Sequence, residues 1–144
     1  MFVNEPNTWL VLSSQTILVP VYLWYPLDPI IARLYLFLWF TSTWFHSAPS
    51  TLSHRVDGIA VTAVILYSLK LISYYPPYSY FYCTLPYVYN GFVCIYGYRH
   101  NKYFFDTNLA NKTFYHASIH ILMATCLTIC AGLKRTHLTS DALK

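Results

Sequence analysis

Five long apolar runs dominate this sequence, at residues 8–25, 29–46, 57–75, 78–97 and 114–132. Each is close to the roughly 20 mainly apolar residues a helix needs to cross the hydrocarbon core of a bilayer. Backbone inside hydrocarbon must satisfy its own hydrogen bonds, and a helix does so within one segment. The runs predict an all-α fold: a polytopic transmembrane helix bundle of about five spans, forming one domain over residues 1–144. Between them the chain is short and polar, apart from residues 98–113 and the tail after 132.

The charge content points the same way. Charged residues make up 10% of the chain, apolar residues 56%, and the mean hydropathy is +0.39. An ordinary soluble domain carries roughly 25% charged residues. So little charge cannot cover a soluble surface, which excludes an ordinary soluble enzyme and a disordered tail. The net charge of +4 comes from nine Lys/Arg against five Asp/Glu. That is a shortage of acids rather than a basic stripe, so nucleic acid is not an expected partner. Cys83, Cys94, Cys126 and Cys130 fall in apolar stretches without a disulfide-type spacing and predict buried thiols.

Ionisable residues inside such spans are functional candidates by default, because each costs at least about 2.5 kcal/mol near a helix centre. Ser42 and His46 stand four apart at the end of the second span, on one helical face. Asp57 opens the third span. His116 and His120 stand four apart at the start of the fifth. With five alternating spans, the second ends on the side where the third and the fifth begin. All five residues therefore share one membrane face.

Three histidines and an acid suit zinc. A catalytic zinc site has three protein ligands and an open position for water. His116 and His120 supply two ligands from one helix, and His46 supplies the third from another. Asp57 can take a proton from the water, and the Ser42 hydroxyl can orient it or donate to a developing oxyanion.

At these residues the chain resembles the alkaline ceramidase and adiponectin-receptor superfamily. The resemblance rests on Ser42-Thr-Trp-Phe-His46, on Asp57 eleven residues after His46, and on His116-Ala-Ser-Ile-His120. The short gap from His46 to Asp57 is similar to the alkaline ceramidase and GPI-lipid-remodelling branches. The resemblance implies a seven-helix bundle, against the five spans counted here. It also implies Zn2+ held by His46, His116 and His120, with Asp57 and Ser42 as catalytic residues. The implied activity is zinc-dependent hydrolysis of an amide or ester of a membrane lipid, ceramide-like or otherwise acylated. The implied setting is a multi-pass protein of an endomembrane, ER or Golgi. The rival expectation is a non-catalytic membrane scaffold or partner-binding protein that retains the zinc motif. A homo-oligomer, in which a second copy completes the pocket, stays open.

Outside this set, His54 and Arg55 read as an exposed loop, and Asn111-Lys112-Thr113 as a glycosylation sequon by pattern alone.

Overall fold

The computed structural model describes residues 6–72 and 77–141. They form five helices: α1 (Thr8–Trp24), α2 (Pro29–Ser47), α3 (Thr51–Ile72), α4 (Pro77–His100) and α5 (Leu109–Asp141). No strand occurs among the described residues. The expected all-α class is what is observed. One helical stretch, Leu109–Thr136, is long and apolar enough to cross a membrane; α1 is apolar but shorter.

Local chemistry sets the helix starts. The Asn7 carboxamide oxygen accepts from the Leu10 N–H at 3.1 Å and caps α1. Asp28 accepts from the Ile30 and Ile31 N–H groups, and Pro29 takes the first helical position, where no N–H is needed. Before α3, the Ser50 and Ser53 hydroxyls each accept the other's backbone N–H, at 2.9 and 3.0 Å. This reciprocal cap starts α3 at Thr51, well before the expected start at Asp57. Asp57 therefore sits in the second turn, and His54 and Arg55 lie on a helix rather than in a loop. The last residues of the expected 57–75 span fall outside the described residues. The fifth helix runs from Leu109 to Asp141, beyond the expected 114–132 at both ends. Inside α1, a 3-10 turn at Gln15–Ile17 precedes Pro20, whose missing N–H removes the bond back to Thr16.

Cross-helix hydrogen bonds give the chain directions. Asn7 reaches Thr113, Ser13 reaches His120 and Trp24 reaches Leu127, so α1 and α5 run parallel. Tyr35 meets Ser68 and Thr41 meets Asp57, so α2 and α3 run antiparallel. Ile17, Trp24, Tyr35, Leu38, Val64 and Leu127 are among the core residues at the centre. The Trp24 indole N–H is buried there and donates to the Leu127 carbonyl at 3.0 Å.

The turn from α4 to α5 closes over the end of the bundle where α1, α3 and α5 begin. The Lys102 N–H donates to the Gly97 carbonyl at 3.0 Å, and Asn101 takes a left-handed φ of 53°. This is the Schellman way of ending a helix, with Asn in the place usually held by Gly. A Cβ on Gly97 would lie 2.6 Å from the Lys102 carbonyl oxygen, a backbone atom with no side-chain freedom to escape. Gly97→Ala is expected to cost roughly 1–3 kcal/mol through this overpacking. Thermal melting in detergent reads it as a lower Tm; an unchanged Tm would show that the turn relaxes freely.

Candidate metal centre

His46 lies in the last turn of α2, and His116 and His120 follow the start of α5. The antiparallel topology brings these helix ends together. One ring nitrogen from each histidine lies within 4.8 Å of the other two. The ring centroids stand 4.7 Å apart for His46 and His116, 5.4 Å for His46 and His120, and 5.1 Å for His116 and His120. His46 and His120 are buried. The three histidines can hold a metal ion.

Two observations test that fit. The His46 Nε2 atom is buried and has no hydrogen-bond partner among the described residues. Such an atom is costly in an apolar interior, and a cation among the three rings would satisfy it. Three nitrogens on a tetrahedral zinc stand roughly 3.3 Å apart, from Zn–N distances of about 2.0–2.1 Å. Closing from within 4.8 Å takes only small ring movements.

Asp57 faces the same space from α3. Its carboxylate accepts from the Thr41 hydroxyl at 3.0 Å. Asp57 and Ser42 line a cavity of about 110 Å³ together with His116 and His120. Asp57 also lines a second cavity of about 330 Å³, with His46, His116, His54 and Lys112 among its walls. Phe45, Val61, Phe104 and Phe105 make much of that wall apolar. The second volume falls in the range of small-molecule pockets. The five residues singled out in the sequence thus lie around two adjoining cavities. The three histidines form the ligand cluster, and Asp57 and Ser42 stand beside it.

The cluster depends on residues the sequence reading passed over. Asn7 donates its backbone N–H to the His46 carbonyl at 2.9 Å and its side-chain NH₂ to Thr113 at 2.8 Å. One residue thereby ties the start of α1 to the ends of α2 and α5 that carry the histidines. The Ser13 hydroxyl meets His120 Nδ1 at 2.9 Å. Thr41 holds Asp57, and the Phe104 ring packs on His116 at 5.1 Å. A signal existed for Ser13: Ser13-Ser14-Gln15-Thr16 is a polar island inside an apolar run. Thr41 had none, because its partner lies across a turn in another helix.

His54, read from the sequence as exposed, lines the larger cavity with its ring 5.2 Å from Phe45. At the sequon, the Asn111 side chain donates to the Asp106 carboxylate at 3.1 Å, and Thr113 is engaged by Asn7. The backbone N–H of Asn108, then the Asn111 side chain, hold the Asp106 carboxyl below the usual carboxylate range. Cys94, Cys126 and Cys130 form no disulfide among the described residues.

Comparison with protein-family models, curated proteins and solved structures finds no match to this chain. The site's chemistry follows from its own residues.

Proposed function

We propose that this chain is a multi-pass membrane protein that binds zinc and hydrolyses an amide or ester of a membrane lipid. The observation that carries the reading is the His46, His116 and His120 cluster, of which His46 and His116 line, beside Asp57, a largely apolar cavity. The donor set is three imidazoles, which also suit copper, iron and nickel; the hydrolytic role of Asp57 favours zinc, which has no redox chemistry. The ceramidase-type motif around Ser42, Asp57 and the histidines supports a lipid amide as substrate. The ER or Golgi setting rests on that resemblance alone.

The surface supports membrane residence beyond α5. Trp9, Leu66, Val88 and Phe114 are 72%, 64%, 67% and 67% exposed, on four different helices. Large apolar side chains facing outward around a bundle suit lipid better than water. The helices α2, α3 and α4 have 19, 22 and 24 residues. At 1.5 Å per residue these are roughly 28–36 Å long, the scale of the hydrocarbon core.

In this reading His46, His116 and His120 hold the ion through neutral imidazole nitrogens. When bound, zinc supplies Lewis acidity toward water and the lipid carbonyl. Asp57 takes the proton of the attacking water and returns it to the departing amine or alcohol. The Thr41 hydroxyl lies 3.0 Å from the Asp57 carboxylate and 3.1 Å from the Leu38 carbonyl; with its one hydrogen on Asp57 it keeps that carboxylate turned into the cavity. Ser42 lines the cavity where it can donate to the developing oxyanion. Phe45, Phe104 and Phe105 exclude bulk water and offer an apolar wall to an acyl chain.

The test is metal analysis of detergent-purified protein beside a variant with His116→Ala and His120→Ala. About one zinc per chain, lost in the variant, is the expected result. Fatty-acid release from ceramides and acylated lipids then follows in the wild type only. Zinc without cleavage of any lipid would support the scaffold reading instead. No zinc in folded wild-type protein would overturn the hydrolase.

A further inference from the structure

The polar island of α1 lies against the metal cluster, and its hydrogens can be counted. Ser13 Oγ has two neighbours for its one hydrogen: the Leu10 carbonyl oxygen at 3.0 Å, which can only accept, and His120 Nδ1 at 2.9 Å, which accepts or donates according to its tautomer. Ser14 Oγ donates to the same carbonyl at 2.8 Å. A hydroxyl has one hydrogen to give. With that hydrogen on Leu10, Ser13 can meet His120 Nδ1 only as an acceptor, across the 2.9 Å between them. The ring must then carry its proton on Nδ1. A neutral imidazole protonated there has its lone pair on Nε2. Ser14 stands 3.4 Å from the same nitrogen, at the limit of hydrogen-bond range.

From this geometry we infer that Ser13 is a positioning residue for the metal: it fixes the His120 tautomer that presents Nε2 as the ligand atom. The inference rests on the metal-binding reading and goes beyond it, since it assigns a role on α1, which supplies no ligand. A ligating histidine is normally oriented by a partner on its other nitrogen, and loss of that partner typically costs 10–100-fold in metal affinity. Here the partner is a hydroxyl that has a carbonyl of its own helix within reach of its hydrogen. Had Ser13 turned its hydrogen to His120, the proton would sit on Nε2 and block the ligand atom. The Leu10 carbonyl thus acts on the metal site at second hand.

The experiment compares zinc affinity in wild-type protein, Ser13→Ala and Ser14→Ala, by competition with a chromophoric chelator. Both serines are buried and both bond Leu10. A merely structural role predicts similar losses in the two variants. The inference predicts a loss of about 10–100-fold for Ser13→Ala, and a Ser14→Ala affinity within a few-fold of wild type. Equal affinities in all three proteins, or equal losses in the two variants, would overturn it. Nitrogen-15 NMR of histidine-labelled, metal-free wild type gives a second readout, with His120 assigned by its absence in His120→Gln. A protonated Nδ1 is expected; a protonated Nε2 would overturn the inference. This measurement needs no bound metal, so it separates failure of the tautomer assignment from failure of the zinc reading.

Discussion

Asp57→Asn is expected to leave zinc bound and to lower lipid hydrolysis by about 10²–10⁴-fold, the usual worth of a positioned general base. The carboxamide has nearly the shape of the carboxylate and can still accept from the Thr41 hydroxyl through its oxygen. It cannot take the proton of water. Asp57 lies outside the three-histidine cluster, so zinc binding is expected not to depend on it. Metal content and fatty-acid release, measured on the same preparation, separate the two roles. Loss of zinc along with activity would make Asp57 a ligand or a structural support. Full activity with zinc in place would remove it from the mechanism.

The helical class was legible because charge is scarce and the apolar runs are helix-length. The convergence of His46 with His116 and His120 was legible because antiparallel helices alternate their ends, so counting spans places the three at one end. The start of α3 was not. It is set by two serines that cap each other, and a Ser-x-x-Ser pair before a helix is a weaker signal than Ser-x-x-Glu. The Asn7 bonds to His46 and Thr113 were hidden for another reason. They join residues far apart in sequence, and one uses backbone atoms, which leave no trace in side-chain pattern. Thr41 belongs to the same class: a short polar side chain whose partner exists only once the helices are packed. In this chain the clustered histidines are written in the sequence as spacings, and their supports are written as tertiary contacts.

Stripping the metal is expected to lower the Tm of detergent-solubilised protein by roughly 5–10 °C. His46 is on α2, and its two partners are on α5. Among the described residues the backbones of these two helices make no close approach; α1 packs on both. A shared ion would therefore join two helices that otherwise meet only through side chains and through α1. Zinc held at about 100 times its dissociation constant stabilises the folded state by about 2.7 kcal/mol. A chain of this size loses about 2–4 °C of Tm per kcal/mol. The product gives the expected fall. Chelator should have no effect on the variant with His116→Ala and His120→Ala, which has no site to empty. Returning zinc should restore the wild-type Tm. A wild-type Tm indifferent to chelator and to added zinc would mean that α2 and α5 are held without an ion. The buried His46 Nε2 would then need a protein or water partner instead.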